Sequence, residues 1–106
     1  MSQMKIIANS FFEACETGKG WSACKEFCHE NASFSSHADP LLEIKTIEEY
    51  SDWMIGICQI MPDSKYEIRS VTLDEDSGHI SFFAVFSGTH SEDGGPVSPT
   101  GKWGQV

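Results

Sequence analysis

The segment from residue 79 to residue 90 alternates between two kinds of side chain, and this period of two is typical of a β-strand. One face comprises Ile80, Phe82, Ala84, Phe86, Gly88 and His90. All of these residues except His90 are apolar. The other face is semi-polar and comprises Ser81, Phe83, Val85, Ser87 and Thr89. An apolar sheet face must be covered, whereas the semi-polar face suits a partner or partial contact with solvent. The pattern therefore places His90 where its ring points into a cavity rather than into water.

Upstream of this strand, three stretches have the three- and four-residue spacing of amphipathic helices. They cover residues 4–15, residues 21–28 and residues 46–61. The third begins with a Thr-x-x-Glu spacing between Thr46 and Glu49, which predicts a capping box at its first turn. Strand patterns cover residues 32–37, 65–73, 79–90 and 103–106. Helices followed by antiparallel strands predict an α+β fold rather than the alternating order of a parallel sheet.

Length and charge restrict the classes of protein to consider. A chain of 106 residues predicts one domain, residues 1–106, with a single core. Its 16 acidic and 7 basic residues give a net charge of −9, which argues against nucleic acid and against an anionic membrane surface as partners. The N-terminal residues show no signal-peptide pattern, so we expect a cytoplasmic protein. In that compartment, the four cysteines are expected to be reduced core residues.

Three short motifs give the chain a family resemblance. Gly88-Thr89-His90, Gly95-Pro96 and Pro99-Thr100-Gly101-Lys102 resemble the signature of SnoaL-like polyketide cyclases. That family belongs to a cone-shaped α+β group with ketosteroid isomerases, scytalone dehydratase and nuclear transport factor 2. The resemblance implies a curved antiparallel sheet wrapped around three N-terminal helices. It also implies a C-terminally shortened cone, because the closing strands of the family, which typically carry an acidic catalytic residue, would follow Val106.

His90 and Asp63 are the candidate catalytic residues. Histidine titrates near neutral pH, and the resemblance implies that a histidine at this motif lines the pocket and handles an enolisable carbonyl. The alternative is a histidine at a strand end that binds the following loop. Acid/base chemistry on an enol uses a second group, and Asp63 and Asp39 are the carboxylates near the expected pocket edges. Each aspartate is next to a proline, so ordinary turn chemistry also explains both.

Aromatic and apolar residues are the candidate ligand-binding wall. They are Trp21, Phe34, His37, Tyr50, Trp53, Met54, Ile57, Phe82, Phe86 and Trp103. These side chains would enclose a flat, hydrophobic small molecule that contains a carbonyl group. At helical spacing, the same stripe on the third helix is also the pattern of plain core.

No cofactor or metal is expected from the sequence. Cys24 and Cys28 lie four residues apart on the apolar side of the second helix, whereas structural zinc sites favour Cys-x-x-Cys pairs. The glycines near residue 95 are not followed by a helix, so they do not form a phosphate-binding loop.

Three functions remain open at this point. The first is a cofactor-free enzyme that cyclises, isomerises or dehydrates an enolisable carbonyl compound. The second is a non-catalytic module of the same fold that binds a small ligand or dimerises, with a homodimer formed through the sheet. The third is a protein-interaction domain that uses the semi-polar sheet face. A second titratable group that faces His90 would favour the enzyme.

Overall fold

Helices precede strands in the computed structural model, which describes residues 3–93 and 99–106. Within these residues the helices are α1 (Gln3–Glu16), α2 (Trp21–Cys24) and α3 (Ile47–Ile60). The strands are β1 (Lys65–Asp74), β2 (His79–Thr89) and β3 (Trp103–Gln105). The predicted α+β order is confirmed. Gly95-Pro96, one of the three motifs of the resemblance, lies outside the described residues. No helix in the described part of the chain has the length and apolar character needed to cross a membrane.

The start of α3 is fixed by the predicted capping box, which the structure confirms. The backbone N–H of Glu49 donates to Thr46 Oγ1 (3.2 Å), and the backbone N–H of Thr46 donates to Glu49 Oε1 (3.1 Å). The helix ends at Ile60, just before Pro62, whose ring cannot continue a helix. Local chemistry therefore sets both ends of the helix that carries four of the ten predicted wall residues.

The described strands form one antiparallel sheet in the order β1-β2-β3. A bulge interrupts the register of β1 between Ile68 and Ser70. Before the bulge, Tyr66 is paired with Phe86, and after it Val71 is paired with Phe82. Because the extra residue shifts the alternation by one, even-numbered residues before the bulge share a face with odd-numbered residues after it. The apolar side chains of β1 thus stay on one face.

The apolar face of β2, called here the inner face, packs against α1. Phe82 stacks on Phe12 with ring centroids 4.7 Å apart, and Phe12 meets Tyr66 edge-on at 5.0 Å. On the other face, called here the outer face, Phe83 is 62% exposed. The predicted alternation of β2 is seen at Phe82 and Phe83, whereas Ser87 near the end of the strand is buried on the outer face.

A second apolar cluster, which contains two cysteines, joins α1 and α2. Cys15 and Cys24 are almost fully buried beside Ala14, and both are free thiols, as predicted. Burial raises the pKa of both thiols, so they remain protonated and behave as small apolar side chains.

The prediction of a strand at residues 32–37 is wrong. One isolated bridge, Ser33 to Thr46, is formed, and the backbone N–H of Phe34 donates to the Lys45 carbonyl (2.8 Å). The segment pairs with the residues that lead into α3, and these turn into the helix after one bridge. A ladder cannot extend along a chain that becomes helical, so only the bridge forms.

Candidate functional site

Two cavities lie near the inner face of the sheet and share part of their lining. The first, called here the aromatic cavity, has a volume of about 350 Å³, and four of its lining residues come from α3. The second, called here the histidine cavity, has a volume of about 390 Å³ and is lined by His90 among others. Met61, Phe86 and Val106 line both cavities. These three residues therefore border both spaces.

The backbone of His90 is held firmly on both sides. Its N–H donates to the Lys102 carbonyl (3.1 Å), and its own carbonyl accepts from the N–H of Gly101 (2.8 Å). The next two residues, Ser91 and Glu92, both donate their N–H groups to the Ile60 carbonyl at the end of α3 (3.2 and 3.1 Å). The position of His90 is thus set by β3 and by α3 together.

The imidazole of His90 has a buried nitrogen that forms no hydrogen bond within the described residues. There, Nε2 is the one buried side-chain nitrogen or oxygen that has no hydrogen-bond partner. Such an atom costs about 1–3 kcal/mol compared with a hydrogen-bonded one. His90 lines the histidine cavity, and a ligand that reaches Nε2 from that space would supply the missing partner.

Several predicted wall residues come together around the aromatic cavity. Tyr50, Trp53, Met54 and Ile57 project from one side of α3, and Phe86 faces them from β2. Phe34 supports this wall from behind, because its ring stacks on Tyr50 with centroids 4.4 Å apart. Tyr50 therefore belongs to the cavity wall, and Phe34 forms the next layer of the same aromatic cluster.

Trp21 and His37 line neither cavity, which corrects their predicted roles. Trp21 packs against the cysteine cluster, and its backbone N–H donates to Asp52 Oδ1 (2.9 Å). His37 is exposed on the loop that follows the isolated bridge. The predicted role of His37 depended on a strand at residues 32–37, and that strand does not form.

Phe82 differs from its predicted role, whereas Trp103 lines one of the cavities. Phe82 lines neither cavity, and its ring stacks on Phe12. Trp103 borders the histidine cavity, although its pairing with Thr89 places it on the outer-face register, where it is 61% exposed. Of these two predicted wall residues, Trp103 therefore borders the candidate site and Phe82 does not.

Asp63 holds the end of β2 and is not positioned for catalysis, which corrects the prediction. Its Oδ1 accepts from the backbone N–H of Thr89 (2.7 Å), and its Oδ2 accepts from the Thr89 hydroxyl (2.8 Å). These hydrogen bonds lower the pKa of the Asp63 carboxyl group. A carboxylate with both oxygens occupied and a lowered pKa is a poor proton acceptor, so Asp63 positions the strand that carries His90.

We expect Asp63→Ala to destabilise the protein in a pH-dependent way. Because the folded-state pKa is lowered, the carboxylate contributes stability above its unfolded pKa, and this contribution is lost as the pH falls through the folded pKa. Thermal unfolding should show a lower melting temperature than wild type at pH 7, with the difference closing in strong acid. Asp39→Ala is the matched control, since Asp39 also adjoins a proline. A difference that stays constant down to strong acid would contradict this role.

The sequence analysis missed Glu16, the last residue of α1. Within the described residues, the Glu16 carboxyl group forms one side-chain hydrogen bond, from Tyr50 Oη to Glu16 Oε1 (2.9 Å). Burial raises the pKa of Glu16, and the hydrogen bond from Tyr50 opposes this only in part. Burial and the neighbouring Glu16 also raise the pKa of Tyr50. One signal was available in the sequence: Glu16 follows Phe12 by four residues, so it lies on the apolar side of α1.

Comparison with known proteins relates the fold to a solved structure. No protein-family model and no curated protein matches the chain. AclR from Streptomyces galilaeus, a proposed hydroxylase, has a similar structure, with a TM-score of 0.71 and 19% sequence identity. The match covers 99% of this chain and 65% of AclR, so the chain spans a little under two thirds of that protein. The likeness concerns the fold.

Proposed function

We propose that the protein binds a hydrophobic, carbonyl-containing small molecule in the two cavities and acts on it by cofactor-free acid/base chemistry. The observation that carries this proposal is His90, which lines an apolar cavity and whose buried Nε2 atom has no partner within the described residues. In the tautomer with its proton on Nε2, His90 donates a hydrogen bond to the ligand carbonyl. The reaction class is cyclisation, isomerisation or dehydration of an enolisable carbonyl compound.

The size and chemistry of the cavities support a small organic ligand. Ligand pockets typically measure about 300–1,000 Å³ and combine apolar walls with a few polar groups. Each cavity lies within that range, and together they offer His90 and the Glu16–Tyr50 pair as polar groups. The rings of Tyr50 and Trp53 lie nearly parallel, 20° apart, which suits a flat ligand.

The fold supports the same class of function by analogy. The SnoaL-like motifs and the likeness to AclR agree with a cone of the nuclear transport factor 2 type and with an enzyme that modifies small molecules. In this proposal the protein is cytoplasmic. It forms a homodimer through the outer sheet face, where Phe83 and Trp103 are both more than half exposed.

A non-catalytic ligand-binding module is the second candidate. It is favoured by the position of Asp63, whose carboxylate is occupied by Thr89 and cannot serve as the second acid/base group. The two candidates differ in whether another titratable group reaches the bound ligand.

Binding of the ketone 2-tetralone tests the proposal shared by both candidates. Tryptophan fluorescence should report its binding, because Trp53 lines the aromatic cavity. Loss of one hydrogen bond of about 1.4 kcal/mol weakens binding about tenfold, and we expect this for His90→Leu. Tetralin, the hydrocarbon without the carbonyl, should bind wild type and His90→Leu equally. His37→Leu serves as the control, because His37 is exposed outside both cavities. Absence of ketone binding to the wild type would refute the proposal.

A further inference from the structure

Glu16 is the one charged side chain among the residues that line the aromatic cavity. Its neighbours there are apolar or aromatic, and its one side-chain hydrogen bond within the described residues comes from Tyr50. No ion pair to Glu16 forms in residues 3–93 and 99–106. A carboxylate in apolar surroundings with one hydrogen bond is costly to maintain, so a role in stability does not explain Glu16.

Among the described residues, the titratable groups that face Glu16 include no cation. Tyr50 and Cys58 face it from α3, Tyr66 from β1 and Cys24 from α2, and Cys15 is its neighbour in α1. None of these groups can carry a positive charge. Burial therefore dominates, and the raised pKa makes the Glu16 carboxylate a stronger base than an exposed glutamate.

Glu16 and His90 line two spaces that share walls. Glu16 belongs to the aromatic cavity and His90 to the histidine cavity, and both cavities are lined by Met61, Phe86 and Val106. A ligand that extends past these three side chains would contact both polar groups. The structure thus places a base and a hydrogen-bond donor, which lie far apart in sequence, in two cavities that share three lining residues.

We propose that Glu16 is the catalytic base of this site and that the substrate is a neutral, elongated, largely apolar ketone with an acidic C–H bond. Tyr50 is a positioning residue, since its hydroxyl group holds Glu16 Oε1 and leaves Oε2 for the substrate. The inference rests on the proposed function, because it assumes that the cavities hold a carbonyl compound. The Glu16 carboxylate repels an anionic group at its end of the ligand, which favours a neutral group there.

The proposed proton transfer conserves atoms and charge and needs no co-reactant. Glu16 takes a proton from the carbon next to the carbonyl group, and the C–H electron pair becomes the carbon–carbon double bond of an enolate. The carbonyl π pair moves to oxygen, where the hydrogen bond from His90 Nε2–H stabilises the negative charge. Glu16 then returns the proton to the same carbon, which gives exchange, or to another carbon of the conjugated system, which gives isomerisation.

Deuterium exchange tests this assignment. We expect the wild-type protein in D2O to exchange the CH2 protons of 2-tetralone faster than buffer does, as followed by proton NMR. Glu16→Gln should lower the protein-dependent rate by about 100-fold or more, because it removes the base. Its affinity for 2-tetralone should change less than about threefold, since the apolar walls remain. Glu13→Gln is the matched control on the same helix, because Glu13 is exposed and lines neither cavity.

Two further variants separate catalysis from folding. Glu16→Asp keeps a carboxylate but shortens its reach, so a reduced yet measurable exchange rate is expected even if Glu16→Gln folds poorly. In Tyr50→Phe, the hydrogen bond that lowers the pKa of Glu16 is lost, so the acid limb of the rate profile should move to higher pH. A purely structural role of Tyr50 would not move that limb.

The outcomes distinguish this inference from the proposed function. If the wild type binds 2-tetralone and Glu16→Gln exchanges as fast as wild type, Glu16 is not the base, although the ligand site stands. If the wild type binds the ketone without any exchange above buffer, the catalytic role of Glu16 is also refuted and the binding module remains. If the wild type does not bind the ketone, the proposed function fails first and the inference fails with it.

Discussion

Phe82→Ala is expected to lower the free energy of unfolding by about 2–3 kcal/mol, which is somewhat less than the cost for a fully buried phenylalanine. Phe82 is half-buried and stacks on Phe12, so truncation opens a gap between the sheet and α1. Phe12 also loses one of its two aromatic neighbours and keeps only the edge contact with Tyr66. Chemical denaturation with urea measures this loss directly.

Phe83→Ala is the matched control for this experiment. The residue type and the strand are the same, but Phe83 is 62% exposed on the outer face. We expect a loss of less than about 1 kcal/mol, because little apolar surface leaves contact with the protein. Equal losses for the two variants in a monomeric sample would contradict the division of β2 into inner and outer faces.

Gly18→Ala should destabilise the protein by about 2–5 kcal/mol, from left-handed backbone strain and from overpacking. Gly18 has a φ of 73°, and an added Cβ would lie 2.9 Å from the Cβ and Sγ atoms of Cys58. It would also lie 3.1 Å from the backbone carbonyl oxygen of Met54, which cannot move without disturbing α3. The substitution therefore separates α1 from α3 next to the aromatic cavity.

Gly78→Ala isolates the backbone contribution to that effect. Gly78 has nearly the same φ, 74°, but nothing lies within 4 Å of an added Cβ. Its cost should be about 1–2 kcal/mol, from the left-handed conformation alone. The difference between the two variants measures the contact between Gly18 and α3, and equal unfolding midpoints would show that this contact is not tight.

Local patterns predicted those parts of the fold that depend on neighbouring residues. The capping box of Thr46 and Glu49 needs only four consecutive residues, and the two faces of β2 follow from its alternation. His90 was predicted to point into a cavity for the same reason, and it lines one. Each of these features is decided within one element of secondary structure.

The remainder of the site depends on contacts between elements. Glu16 and Tyr50 are 34 residues apart, and neither position alone indicates that the two side chains meet. Asp63 was predicted as a catalytic carboxylate because it lies near a pocket edge. Its actual role depends on Thr89, which is 26 residues away. Single-sequence patterns contain no information about such pairs.

Because of the bulge in β1, the number of residues in this strand matters more for the placement of its apolar side chains than the identity of the residues at the bulge. Arg69 and Ser70 are exposed, and any polar side chain would serve at either position. Removing one of them would leave an unbroken alternation, in which Tyr66 and Val71 could no longer share the inner face. A single-residue deletion at this exposed place would therefore expose half of the strand's apolar side chains. A substitution there should cost little, because the ion pair of Arg69 with Glu67 (3.2 Å) is exposed. Insertions and deletions, rather than point mutations, reveal this constraint on the evolution of the strand.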